Sequence, residues 1–455
     1  MTTTAKKTTL SVSLAQLGPG LLMAGAAIGV SHLVQSTRAG AMYGWGALIF
    51  VLLANLMKYP FYEYGHRYAA ASGQNLIQAY RQQGKRFFIP FLLISAISAV
   101  GSFAVDAFVA AMLLQYLLFP NVSATVLAVG VLLFCWGLIA VGRYRLFEQI
   151  TKWCVIFLSV ATIAAVVMAV ATTVWPLFSS PAIASHTSST VEVSGEVSQQ
   201  TLLSEPSSQA FVASTTNLSR PPIFSWSAVP FIVAFMGWMP GGLELSVWQS
   251  LWVQADAKDS GEQASMAEAS FDFNFGYLLT VVLACLFLIL GTLTLPEQGL
   301  AAEPAKFAGQ LVGMYTHYIG AWAQPVIGLC AIAAIFSTTF TVVDAFPRTL
   351  EAGLYELFPE TKAIEFPIRQ AMALTLIALA GLLLTVFTAG FEPLINTITI
   401  LAFIAAPFYA WLNMRSVRTL EDAAQPEKWL SRLANVGLIY LSGFSLIFLA
   451  ITLLY

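Results

Sequence analysis

Long and almost uninterrupted apolar segments recur along this chain, and they restrict its fold more than any other feature. An α-helix needs about 20 mostly apolar residues to cross the hydrocarbon core of a bilayer. Transmembrane β-strands are shorter, about ten residues, and alternate in polarity. The pattern therefore predicts an all-α polytopic membrane protein. The predicted spans lie near 18–40, 44–66, 87–118, 122–141, 149–175, 224–252, 271–294, 320–346, 367–389, 391–413 and 430–454.

Composition excludes several functional classes. Of the 455 residues 58% are hydrophobic and 10% are charged, against roughly one-quarter charged in soluble domains. The net charge of −2 does not favour a nucleic-acid partner. The chain has no GxxxxGK[ST] motif for ATP-driven transport, and its four cysteines show no paired spacing. We expect no cofactor and no enzymatic activity, and the lipid bilayer is the expected partner.

The Lys and Arg residues predict the orientation, because basic residues accumulate in cytoplasmic loops. With the N-terminus inside, 17 of the 21 fall in cytoplasmic connections, whereas only Arg220 and Lys306 lie outside. This predicts a plasma (inner) membrane protein with a cytoplasmic N-terminus and an external C-terminus. The Ser- and Thr-rich connection at about 176–222 is then external, with too few apolar residues to order itself.

Two of the predicted spans contain helix-breaking residues near their centres. The first reads GVSH at 29–32, and the sixth reads WMPGG at 238–242. Proline removes a backbone donor and glycine weakens a helix, and unpaired backbone at bilayer depth has to line a cavity or be buried in protein. Broken spans at positions one and six are typical of inverted-repeat transporters with a midplane site. Alternatively, the glycines only allow close helix packing.

Charged residues within the spans are candidates for proton movement or gating, because burying a charge in a membrane is costly. Asp106 lies in the middle of the third span. Glu244 follows the predicted break in the sixth span, where it faces the cavity or caps the second half-helix. Arg38 lies in the outer half of the first span and is either a gate residue or an interfacial anchor.

Two further charged positions have local partners in sequence. Asp344 is a fourth proton or gate candidate, but Arg348 follows it by one helical turn, which also predicts an ordinary ion pair. Lys58 precedes Glu63 by five residues, and we expect its side chain to snorkel or to pair within its own helix.

Several segments between Gly18 and about Asn413 read GPGLLMAG, STRAGAMYGWGALIFVLLANLM, ASGQNL, WMP, FSTTFT and APF. Together they resemble the natural resistance-associated macrophage protein (NRAMP) family of divalent metal transporters. The resemblance implies a leucine-transporter (LeuT) type fold with 5+5 inverted repeats and an eleventh helix. It also implies inward transport of manganese or ferrous iron with protons. The corresponding regions are 1–175 for the N-terminal region and first repeat, 176–222 for the outer loop, 223–414 for the second repeat and 415–455 for the extra helix.

The family motifs that bind metal are altered here. The Asp-Pro-Gly-Asn motif of the first helix falls on residues 29–32, where Gly29 replaces the metal-binding Asp and His32 replaces the Asn. The Met-Pro-His motif of the sixth helix begins at Met239, which keeps the sulfur ligand, whereas Gly241 replaces the histidine. The resemblance thus implies the fold more directly than the substrate.

The altered motifs lead to a specific prediction for the site. His32 and Met239 are the expected side-chain ligands, with Ser31 and the main-chain carbonyls near Gly29, Trp238 and Gly241 completing the shell. Imidazole and thioether favour softer transition metals. The predicted function is secondary active transport of a metal cation, either manganese- or iron-type or softer. The alternative is a symporter of a small organic solute such as an amino acid, and a channel or non-transporting receptor is a third class.

Overall fold

All regular structure in the described residues is helical. The computed structural model describes residues 18–142, 144–174, 220–262, 265–295, 301, 303–363, 367–387 and 390–454. The first 17 residues and most of the predicted outer loop at 176–222 lie outside this set. The helices are α1 Pro19–Ala27, α2 Thr37–Tyr43, α3 Leu48–Ser72, α4 Leu76–Gln82, α5 Lys85–Leu117, α6 Ala124–Val141, α7 Tyr144–Ala169, α8 Val229–Gly237, α9 Glu244–Ser260, α10 Met266–Thr294, α11 Pro304–Ile319, α12 Gln324–Leu357, α13 Ile368–Val386, α14 Phe391–Val417 and α15 Lys428–Leu454.

The helices confirm an integral membrane protein. Among the described residues, eight helical runs are long and apolar enough to cross a membrane, and Ile156–Thr172 and Trp226–Gly237 are shorter apolar helices. The helix Ala124–Val141 has a mean hydropathy of 2.5, yet only 22% of it is buried inside the protein. So large an exposed apolar surface is compatible with lipid around the helix and not with water.

The first span is interrupted, as predicted. Helix α1 ends at Ala27, Ile28 and Gly29 form a turn, and a π-helix follows at Val30–Ser36 before α2 begins. Close packing also requires this glycine, since a Cβ on Gly29 would lie 2.2 Å from Thr338 Oγ1 of α12. The predicted break is therefore confirmed, and Gly29 also admits a neighbouring helix.

The sixth span is also interrupted. Helix α8 ends at Gly237 and α9 begins at Glu244, with no regular helix at residues 238–243. Pro240 explains the break, because it has no N–H to continue the hydrogen-bond ladder. A Cβ on Gly237 would lie 1.9 Å from the carbonyl oxygen of Thr399, so α8 and α14 are in backbone contact here.

The two interruptions meet at the centre of the bundle. The Ser31 hydroxyl of the first break lies 3.2 Å from the carbonyl oxygen of Pro240 in the second break. Helix α1 packs against α10 and α12, α8 packs against α14, and α9 packs against α3. Helix α5, which carries Ser102 and Asp106, packs against α12. The prediction that the broken spans face each other is confirmed.

Candidate functional site

A small buried cavity lies where the two breaks meet. Its volume is about 40 Å³, enough for about three water molecules at about 10–15 Å³ each. Residues from both broken spans and from α5 and α12 surround it. They are Ala26, Val30, Ser31, Ser102, Asp106, Trp238, Pro240, Gly241, Gly242, Glu244, Leu245, Trp248, Thr338 and Val342.

Two carboxylates and three hydroxyl groups form the polar part of this wall. Asp106 of α5 is 3% exposed and Glu244 of α9 is 6% exposed, and the two carboxylates interact electrostatically. The hydroxyls belong to Ser31, Ser102 and Thr338. A buried carboxylate is costly in its charged form unless it takes up a proton or a cation compensates it, so this wall can accept a positively charged ligand.

The position of Glu244 depends on the break itself. Glu244 is the first residue of α9, where the partial positive charge of a helix N-terminus stabilises a carboxylate. Its side chain folds back over Gly242, because a Cβ on Gly242 would lie 2.2 Å from Glu244 Oε1. A side chain at 242 would therefore displace the carboxylate from its present position.

His32 faces away from the cavity. Its Nε2 lies 3.0 Å from the carbonyl oxygen of Thr280 on α10, and its Nδ1 lies 2.8 Å from the Ser31 hydroxyl. A carbonyl only accepts, so Nε2 donates to Thr280, and Nδ1 contacts the Ser31 hydroxyl, which also lies 2.6 Å from the Ala27 carbonyl oxygen. Both ring nitrogens therefore contact protein groups, and His32 does not line the cavity.

Only some of the other residues predicted to bind the metal line the cavity. Ser31, Trp238 and Gly241 line the cavity. Met239 is fully buried in the core and does not line it. Gly29 lies against α12 instead.

Arg38 joins three helices beyond the cavity. Its guanidinium forms an ion pair with Glu392 of α14 and also donates to Gln35 Oε1 at 2.9 Å and Asn396 Oδ1 at 3.2 Å. It also lies 5.6 Å from the ring centroid of Phe231 of α8. The side chain is only 2% exposed, which does not fit an interfacial anchor, and the gate role stays a prediction.

Asp344 does not reach the cavity. Its carboxylate pairs with Arg348 at 2.7 Å, one helical turn further along α12. The alternative of an ordinary i,i+4 ion pair is confirmed.

Ser102, which lines the cavity, was not singled out from the sequence, although its position one turn before Asp106 on α5 places both on one helix face.

The carbonyl groups freed by the second break are occupied by side chains of α3. Lys58 Nζ donates to the carbonyl oxygens of Met236 at 2.7 Å, Gly237 at 2.8 Å and Gly241 at 3.2 Å. Tyr62, one turn later, donates to the Gly241 carbonyl at 2.7 Å. These carbonyls are consequently not free to complete a shell around an ion in the cavity.

The predicted role of Lys58 is therefore wrong. The side chain is fully buried and does not snorkel. Glu63, its expected partner, pairs with Arg67 at 2.6 Å. The physical reason is that orphaned carbonyls at the break attract the ammonium more directly than a carboxylate on another side of the same helix. The i,i+4 spacing of Lys58 and Tyr62 places both side chains on one face of α3, and this could have been recognised in the sequence.

Within the described part of the chain, no group of three or more His, Cys, Asp or Glu side chains is placed to hold a metal ion. The cavity offers two carboxylates with hydroxyl groups. Such a partial shell differs from a closed structural metal site.

Comparisons with known proteins agree with this architecture. A family model described as natural resistance-associated macrophage protein-like matches residues 20–188. An uncharacterised protein of Pasteurella multocida (strain Pm70) is 33% identical over 454 residues, covering 99% of this chain and 95% of that protein.

Solved structures share the fold at low sequence identity. A mutant of the Eremococcus coleocola manganese transporter is similar with a TM-score of 0.70 and 15% identity, over 98% of this chain and 88% of that one. MhsT in complex with L-phenylalanine is similar with a TM-score of 0.59 and 12% identity, over 95% of this chain and 99% of that one. These likenesses confirm the predicted LeuT-type fold.

Proposed function

Because this chain belongs to the NRAMP family, we propose that it is a secondary active transporter of divalent metal cations. The transported ion binds in the cavity between the two broken spans. Asp106 and Glu244 are its anionic ligands, and the hydroxyl groups of Ser31, Ser102 and Thr338 complete the shell together with water. The manganese transporter among the solved structures supports this substrate class.

The observation that carries the proposal is the pair of buried carboxylates in a cavity of about 40 Å³. Two negative charges brought together in a low-dielectric interior repel each other, and a dication removes that repulsion. Carboxylate and hydroxyl oxygens favour harder ions such as manganese and magnesium. The ligands differ from the imidazole and thioether predicted from the sequence, and they move the expected preference from soft towards hard cations.

The proposal also accounts for the altered first-span motif. The resemblance places the family's metal-binding Asp at Gly29, where this chain has no carboxylate. Glu244, which lines the cavity at the second break, supplies an anionic ligand instead. Asp106 adds a second ligand from α5, so the charge needed for a dication is restored by residues that the motif does not include.

A symporter of a small organic solute is the second candidate, and one observation favours it. Trp248 lines the cavity, and its indole N–H has no hydrogen-bond partner among the described residues. An unpaired donor suits an acceptor such as the carboxylate of an amino acid. The size of the cavity opposes this function, because pockets for organic ligands are typically about 300–1,000 Å³.

Uptake into proteoliposomes tests the proposal. We expect the wild-type protein to take up Mn²⁺, and Asp106→Asn or Glu244→Gln to reduce uptake by at least about tenfold, as for loss of a charged ligand. Asp344→Asn is the matched control, since this carboxylate lies in a span but outside the cavity. Uptake of an amino acid without uptake of Mn²⁺, Fe²⁺ or Mg²⁺ would establish the second candidate instead.

A further inference from the structure

The Lys58 ammonium occupies a site made of main-chain oxygens. Its Nζ contacts the carbonyls of Met236 and Gly237 at the end of α8 and that of Gly241 within the break. In a continuous helix the Met236 carbonyl would accept from residue 240, but Pro240 has no N–H, and the Met239 N–H lies 3.3 Å from this carbonyl oxygen instead. The end of a helix also carries partial negative charge. The break thus creates a small region of negative potential, and Lys58 fills it.

The chemistry of this region is that of a cation site. Three carbonyl oxygens lie 2.7–3.2 Å from one point, and rings of backbone carbonyls are the groups that replace the hydration shell of alkali ions in channels. Lys58 does not line the transport cavity. It lies on the α3 side of the break, so the carbonyl site adjoins the cavity and shares Gly241 with it, but the ammonium lies outside the cavity.

Among the described residues, carbonyl oxygens and not an ion pair hold the Lys58 ammonium. Glu244, two residues after Gly242, acts on it only at longer range. A buried ammonium with neither carbonyls nor a carboxylate nearby would be strongly destabilising. Tyr62 completes the arrangement as a neutral donor, since its hydroxyl lies 2.7 Å from the Gly241 carbonyl and 3.0 Å from that of Gly242.

We propose that Lys58 is a tethered cation that fills a monovalent-cation site at the break of the sixth span. The site is therefore closed to soluble alkali ions, and transport does not depend on them. Removing the side chain opens the site to a small monovalent cation. The statement about transport rests on the proposed function, whereas the site itself does not.

Thermal unfolding of Lys58→Ala in detergent tests the site. Alanine leaves out three methylenes and the ammonium, which is the shape of propylammonium. We expect the Tm of Lys58→Ala in choline chloride to fall by at least about 5 °C. At about 100 mM propylammonium or sodium, at least half of that loss should be recovered, as expected when a ligand binds only the folded state. The wild-type Tm should be the same in all these salts.

Two further variants separate charge from packing. Lys58→Met fills the space without a charge, so its Tm should fall and no salt should restore it. Tyr62→Phe removes only a neutral donor, so its Tm should not depend on the cation. Equal Tm values for Lys58→Ala in choline, sodium and propylammonium would overturn the proposal, as would a Lys58→Met protein as stable as wild type. If Lys58→Ala does not fold in ordinary buffer, it should be purified in propylammonium. Folded protein obtained only in that salt would support the proposal, and folded protein obtained in none of the salts would contradict it.

Transport measurements distinguish this inference from the proposed function. Mn²⁺ uptake by the wild type should be equal in sodium and choline, and uptake by Lys58→Ala should require sodium or propylammonium. Sodium dependence in the wild type would contradict the tethered-cation role. If the wild type carries no metal but the Tm of Lys58→Ala is rescued, the proposed function fails and the site remains. If metal is carried and no rescue occurs, only the inference about Lys58 fails.

Discussion

Replacing Gly29 with alanine is expected to destabilise the protein, because the space that a Cβ needs is already filled. A Cβ at this position would lie 2.2 Å from Thr338 Oγ1, 2.7 Å from its Cβ and 2.8 Å from its Cγ2. Rotating the Thr338 side chain moves Oγ1 and Cγ2 but leaves the contact with its Cβ. Helix α12 therefore has to move away from the first span. Overpacking of this kind costs about 1–3 kcal/mol.

Gly25→Ala is the matched control. Gly25 lies one turn earlier on the same broken span, and a Cβ there would meet only Ser337 Oγ, at 3.7 Å. Because an alanine fits and restricts the unfolded chain, this substitution should stabilise by about 0.4–1 kcal/mol. The two alanines should consequently shift the midpoint of unfolding in opposite directions, measured by tryptophan fluorescence in one detergent. A Gly29→Ala protein as stable as Gly25→Ala would refute the packing argument.

The same contact predicts what happens when the family's aspartate is restored. Gly29→Asp alone should not raise the affinity for Mn²⁺, since the carboxylate cannot be placed while Thr338 is in contact. The double variant Gly29→Asp with Thr338→Gly removes the obstructing Cβ and should bind Mn²⁺ more tightly than Thr338→Gly alone. Isothermal titration calorimetry on the three variants decides this, and tighter binding by Gly29→Asp alone would contradict it.

Other predictions concern the gate, the imidazole and the topology. Glu392→Gln should weaken the tie to Arg38 and increase the rate at which a cysteine at Ser102 is modified from outside, and an unchanged rate would argue against a gate. His32→Gln should leave the Mn²⁺ affinity within about twofold, because both ring nitrogens already contact groups within the protein. An affinity about tenfold weaker would instead support His32 as a metal ligand, as predicted from the sequence. A cysteine at Ser188 should be labelled from outside and one at Thr3 should not, and the reverse pattern would invert the predicted orientation.

The breaks in the two spans were predictable because their causes are local. A proline inside a helix interrupts the backbone hydrogen-bond ladder whatever surrounds it, as Pro240 does here, and the glycines beside it lower the cost of unwinding. The Asp344–Arg348 ion pair was predictable for the same reason, as a fixed spacing along one helix face. Features that depend on residues within one or two turns of each other were accessible from the sequence.

The identity of the residues that face the cavity depended on helix rotation, which the sequence did not define. The first break is followed by a π-helix at Val30–Ser36, in which hydrogen bonds run from residue i to i+5. The side-chain directions therefore depart from those of an α-helix. Ser31 faces the cavity and His32 faces α10. A motif alignment assigns each residue to a position along the chain, but it does not establish which of two adjacent side chains faces the cavity.

The carbonyls of the second break show why local reasoning about ligands was incomplete. An unwound segment was expected to present its carbonyl groups to the substrate, and this holds only if no other helix supplies donors. Helix α3 places Lys58 and Tyr62 one turn apart, and together they take the carbonyls of Met236, Gly237 and Gly241. Side chains must then bind any ion in the cavity. On the proposed function, this transfer of ligation from backbone to carboxylate is why Glu244 stands at the first position of α9.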